Sequence, residues 1–196
     1  VNRFEQMVKD GSSSYYEVDD LESLLDHFIV HHHLDLAFKV VETVHSQHPN
    51  NHQLSIIEAE LLSLAEKHSE ALELLSSVET LENSNPDFHI TKASILSQTG
   101  HYDKAIRSLH QALKCSSDEP DVIYMNLAIE HQNLEQYDQA IGFLQKALES
   151  NPENEDALCT GRLGLRDRFD DRAGIFLDVF GLEGSLADGN VDVARL

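Results

Sequence analysis

Tryptophan is missing from this 196-residue chain, and cysteine nearly so, with Cys115 and Cys159 alone. Two such cysteines form neither a disulfide framework nor a metal-ligand pair at CxxC spacing, which fits a reducing, cytoplasmic setting. Basic residues are scarce: 14 Lys plus Arg stand against 35 Asp plus Glu, a formal net charge of -21. Most of the surface therefore repels a phosphate backbone, and nucleic acid is not expected as a partner. With 9 Gly and 4 Pro the composition is neither collagen-like nor low-complexity. No apolar run approaches the ~20 residues needed to cross a bilayer, and nothing behind Val1 has the charged-then-apolar form of a secretory leader, so no membrane association is expected. A chain that opens on Val1 reads as a piece of a longer protein.

The signatures of catalysis are also missing. There is no GxxxxGK[ST] loop to cradle phosphates, no GxGxxG, no HExxH and no GxSxG elbow. Acidic pairs such as Asp19–Asp20 and Asp170–Asp171 read as solvated charge runs, because proton transfer also needs a pocket that shifts a pKa. No enzyme activity and no cofactor is expected.

What the sequence does contain is a period. Ala37, Ala71, Ala105 and Ala140 recur at intervals of 34, 34 and 35 residues. Three residues before each stand Leu34, His68, Tyr102 and Tyr137; four after stand Val41, Leu75, Leu109 and Leu144, then Val44, Val78, Ala112 and Ala147. Offsets of three, four and seven place these on one helix face. Upstream, Leu25, Ala59, Ala93 and Ala128, with Phe28, Leu62, Leu96 and His131, form a stripe on an earlier helix. Each unit is thus predicted to be helix, turn, helix, with Pro49, Pro86, Pro120 and Pro152 in the Asn- or Asp-containing links between units. The units fall at 18–51, 52–85, 86–120 and 121–154. Short turns predict antiparallel neighbours. Phe4, Met7 and Val8 give residues 1–17 a helical cap for the first unit.

Asn126-Leu127-Ala128, Tyr137-Asp138-Gln139-Ala140-Ile141, Gln145-Lys146-Ala147-Leu148 and Pro152 together resemble a tetratricopeptide repeat, as does Gly100-His101-Tyr102-Asp103-Lys104-Ala105-Ile106 with Gln111-Ala112-Leu113. The first two units depart from the pattern, with His68 in place of an aromatic and Val44 and Val78 in place of Ala. The resemblance spans 18–154 and implies an all-α fold, helix pairs stacked into a right-handed superhelical solenoid.

Past residue 154 the composition switches: six of the nine Gly and five of the seven Arg lie there, but no Lys and no His. Residues 155–196 read as a partial fifth repeat or divergent cap, or as a non-native tail.

The resemblance also implies a function, protein–protein interaction through a concave groove lined by first helices and holding a peptide or helix. The groove-facing residues then include Glu22, Ser23 and Asp26; Ile56, Ile57 and Glu60; Ile90, Thr91 and Ser94; and Met125, Asn126 and Ile129. Repeats that clamp chaperone C-terminal carboxylates use Lys, Arg and Asn there, and no Lys or Arg stands at these positions. A basic or amphipathic protein segment suits them better. Self-association into a homo-oligomer and service as the helical arm of a larger protein or enzyme are alternatives. Histidine is the one enriched ligand type: His27 and His31 share a helix face with His32 and His33 beside them, and His45, His48 and His52 cluster, but neither group matches a closed metal site. Cys115 is expected to be a buried, inert thiol.

Overall fold

The computed structural model describes residues 2–10, 15, 18–48, 51–116, 120–154 and 157; the side chains of residues 2, 18–22 and 26 lie outside those described. The described residues are helical without strands. The chain divides into two compact units, Val1–Thr99 and Gly100–Leu196.

In the first unit α1 (Asn2–Asp10) precedes three first helices, α2 (Val18–Val30), α4 (Gln53–Leu64) and α6 (Pro86–Gln98), and two second helices, α3 (Leu34–Gln47) and α5 (His68–Glu82). The period positions are its core. Ala37, Val41 and Val44 of α3 pack with Leu25 and Phe28 of α2, and Ala71, Leu75 and Val78 of α5 pack with Ala59 and Leu62 of α4. Val44 and Val78, departures from the repeat pattern, are both buried. α1 buries Phe4 and Met7 in the α2–α3 core, with the Phe4 and Phe28 rings 6.0 Å apart. Burying each such side chain contributes about 1.5–3 kcal/mol.

The second unit contains α7 (Tyr102–Cys115), α8 (Asp121–Asn133) and α9 (Tyr137–Ser150). Ala105, Leu109 and Ala112 of α7 are buried, and Ala128 of α8 packs with Ala140, Leu144 and Ala147 of α9. His131 occupies an apolar stripe position yet is buried, because its Nδ1 donates to Gln136 Oε1 at 2.7 Å and its ring stacks on Phe143 at 5.2 Å. Cys115 departs from expectation. It is half-exposed rather than buried, being the last residue of its helix.

The turns within the pairs share one geometry. His32, Glu66, Gly100 and Glu135 all have positive φ, between 58° and 75°. Glu66 N–H bonds Ser63 O and Lys67 N–H reaches back to Leu62 O at 2.8 Å; Glu135 and Gln136 repeat this with Gln132 and His131. This is the Schellman arrangement, in which a left-handed residue lets the chain satisfy the last helix carbonyls and reverse. Links between units use side chains instead. Asn85 caps α6 by accepting from Asp87 N at 3.0 Å, with Pro86 at the first helical position, where no donor is needed. Thus Pro86 opens a helix. Of the C-terminal segment 155–196, only Ala157 is among the described residues; it is buried against α8 and α9, its N–H donating to Asn154 Oδ1 at 2.8 Å.

Candidate functional site

On the first unit the first-helix candidates fall on α2, α4 and α6. Glu22 and Asp26 lie on α2 with side chains outside those described, and Ser23 is exposed. On α4, Ile57 is half-buried and Glu60 exposed, whereas Ile56 is fully in the core between α4, α5 and α6 and cannot face a partner. On α6, Ile90 is half-buried, Ser94 exposed and Thr91 buried. α4 and α6 touch, and the contact is specific. Thr91 Oγ1 donates to Glu60 Oε1 at 2.7 Å, and Ser63 Oγ donates to Gln98 Oε1 at 3.0 Å while Gln98 Nε2 reaches Ser94 Oγ at 3.3 Å. Lys92 secures α6 to α5 through Glu79 at 2.8 Å. These bonds hold Ile57, Glu60, Ile90 and Ser94 on one framework.

Glu60 is electrostatically poised. Burial of its carboxyl raises its pKa above the ordinary value, the Thr91 hydrogen bond opposes that, and Asp87 adds to the rise. Part of the residue stays open to solvent, so screening moderates the effect. An acid in this state gains from an approaching cation, which restores the charged form.

On the second unit Met125, Asn126 and Ile129 are all half-buried on α8. The Asn126 amide makes no hydrogen bond among the described residues, so its donors and acceptor are available. At the start of the same helix Asp121 is buried and accepts from Asn151 Nδ2 at 3.0 Å and Asn154 Nδ2 at 2.7 Å, tying α8 to the chain beyond α9.

Among the candidate metal-ligating histidines, the structure stacks His27 on His31. Their rings stack at 4.2 Å, and His31 Nδ1 donates to the His27 carbonyl at 2.7 Å. His33 is exposed beyond the end of α2. Among the described residues no three His, Cys, Asp or Glu side chains are arranged to hold a metal ion. A cavity of about 390 Å³ lies at the α2–α3 turn, lined by His32, His33, Leu34, Asp35 and Leu36. No described helix is long and apolar enough to cross a membrane.

The sequence reading missed a group on the second unit. Lys146 sits over the rings of Tyr124 at 5.8 Å and Phe143 at 5.1 Å, and His110 lies 6.2 Å from Phe143. Its signal in the sequence is the three-residue step from Phe143 to Lys146 on α9.

Residues 122–154 match the tetratricopeptide repeat family, and residues 30–112 match the family described as anaphase-promoting complex, cyclosome, subunit 3. None of the curated proteins matches significantly. Among solved structures, the chain is similar to a thermophilic TPR protein of Thermus thermophilus, at 21% identity and a TM-score of 0.69 over 83% of this chain and 87% of that one. It is also similar to MamA, at 16% identity and a TM-score of 0.61 over 83% and 88% of the two chains. YrrB, described as a TPR protein with an unusual peptide-binding site, is 17% identical with a TM-score of 0.58 over 73% of each chain.

Proposed function

Because residues 122–154 match the tetratricopeptide repeat family and the fold is that of tetratricopeptide-repeat structures, we propose that this chain is a non-catalytic interaction scaffold whose first helices receive a peptide or helix of a partner protein. In this reading residues 18–154 are four repeats, α1 is the N-terminal cap and 155–196 a partial fifth repeat or a divergent or non-native tail. The observation that carries it is Asn126, a half-buried amide without a hydrogen bond among the described residues, flanked on α8 by Met125 and Ile129. Such a group costs little when solvated and gains when an extended backbone offers it a donor and an acceptor. The description of YrrB as having a peptide-binding site agrees with this use of the fold.

On the first unit, Ile57 and Ile90 offer apolar area beside Glu60, which suits an amphipathic segment carrying a cation. Hydrogen bonds between α4 and α6 fix these side chains in advance, so little rotamer entropy is lost on binding. A cation paired with Glu60 draws its pKa back down. Affinity for such a segment should therefore rise with pH through the range just above the ordinary carboxylate value, as Glu60 deprotonates.

The test is a peptide-display selection on the full chain, followed by titration of selected peptides against Met125→Ala/Asn126→Ala and Ile57→Ala/Ile90→Ala variants. Loss of about tenfold or more in affinity, with unchanged helical circular dichroism, is the expected outcome for peptides using these faces. Peptides that bind parent and both variants equally would overturn the groove reading.

A further inference from the structure

The scarce basic residues of this acidic chain are not evenly placed. On α7, Lys104, Arg107, His110 and Lys114 follow one another at steps of three, three and four residues and are all exposed. That spacing puts them on a single face, opposite the buried Ala105, Leu109 and Ala112. The only acid on α7 is Asp103, in its first turn. The stripe continues onto α9 through Lys146, whose ammonium is held over Tyr124 and Phe143, the latter ring also adjoining His110. Among the described residues no carboxylate pairs with Lys104, Arg107, Lys114 or Lys146, although acids outnumber bases in the chain 35 to 14. Burial, then His131, Lys114 and Lys146, hold the His110 pKa below its ordinary value, the last three because the local potential is positive.

We infer that the outer face of α7, with Lys146 of α9, is a second docking surface that takes an acidic, extended protein segment. It differs from the first-helix faces in helix, charge and preferred partner, so it stands or falls separately from them. The distance from Lys104 to Lys114 along the helix is about 15 Å, which about five residues of extended chain cover. Carboxylates alternating along such a segment all reach one side, matching the row of cations. Cation–π contact pre-positions Lys146, so its rotamer freedom is already spent before the partner arrives. The rest of the surface, strongly negative, repels the same segment and confines it to this stripe.

The experiment is fluorescence anisotropy of a labelled Glu-rich peptide, and a Lys-rich control peptide, titrated with the full chain at low salt and at about 0.3 M NaCl. Three variants accompany it: Lys104→Gln/Arg107→Gln/Lys114→Gln; the same with Lys146→Gln; and Lys9→Gln/Lys39→Gln/Lys67→Gln, which removes as many exposed charges elsewhere. Expected are salt-sensitive binding of the Glu-rich peptide, a loss of about tenfold or more in the first variant, a further loss in the second, and near-parent affinity in the third. Equal weakening in the first and third variants would reduce the effect to net charge and overturn the site. So would absence of binding at low salt. A single-stranded oligonucleotide bound more tightly than the peptide would reassign the stripe to phosphate. Concentration-dependent mass in sedimentation, lost with the first variant, would reassign it to a second copy of this chain.

Discussion

At the scale of single residues, the left-handed turns separate backbone strain from packing. A Cβ added at Gly100 meets nothing within 4 Å, so the only cost of Gly100→Ala is its φ of 75°. That substitution should destabilise the fold by about 1 kcal/mol. The reverse holds at Glu66 and Glu135, which already bear that strain with φ near 60°. Glu66→Gly or Glu135→Gly should be stabilising by about 0.5–1 kcal/mol, the gain being reduced by glycine's larger unfolded-state entropy. Urea denaturation of the three variants checks both signs. The sequence showed this turn only in the third pair, where glycine marks it. In the other pairs the requirement for positive φ is hidden under ordinary polar residues, because the Schellman hydrogen bonds compensate for the poor backbone preference.

At the scale of helices, the apolar period was readable because burial is what selects it: Ala37, Ala71, Ala105 and Ala140 are all buried. Pairing between polar groups was not readable. Thr91 and Glu60 are 31 positions apart, and nothing in either residue's neighbours specifies the other. Ile56 and Ile57 illustrate the same limit, since adjacent residues on a helix differ by about 100° and the repeat phase did not decide which of them turns inward. The basic stripe of α7 lay in plain spacing but was obscured by a net charge that describes the average and not the face.

Asp121 supplies the prediction at this scale. Burial works to raise its pKa, but hydrogen bonds from Asn151 and Asn154, with backbone N–H groups of Val122 and Asp121, outweigh it and the pKa is lowered. A depressed acid stabilises the fold fully above its unfolded value of about 3.9, and that contribution fades as pH falls through the lower, folded value. The Asp121→Asn variant should therefore lose stability relative to parent at pH 7, with the gap closing in acid. Thermal denaturation of both proteins between neutral pH and about pH 3 measures it.

For the whole molecule, charge is the dominant global property. A net -21 on 196 residues repels itself, and this repulsion opposes every compact arrangement of the chain. Adding NaCl to about 0.3 M shortens the screening length to below 10 Å and should raise Tm, whereas an ordinary near-neutral protein changes little. A Tm that falls with salt would mean that the ion pairs Lys92–Glu79 and Lys67–Glu70 contribute more than the repulsion costs. The same charge bears on the proposed basic stripe of α7, since an acidic chain must gather its few cations to present any positive face.

The bonds around Asp121 carry one more consequence, concerning the age of the molecule. Both amides, Asn151 and Asn154, donate to the same carboxylate oxygen. Spontaneous hydrolysis of either amide to aspartate would replace a donor by a second negative charge facing a buried one. A protein that has lost one amide nitrogen at Asn154 also retains its acceptor for Ala157 N–H but sets it beside a repelling neighbour. Loss of an amide nitrogen at the junction after α9 would thus act directly on the hydrogen bonds that tie the chain there to α8.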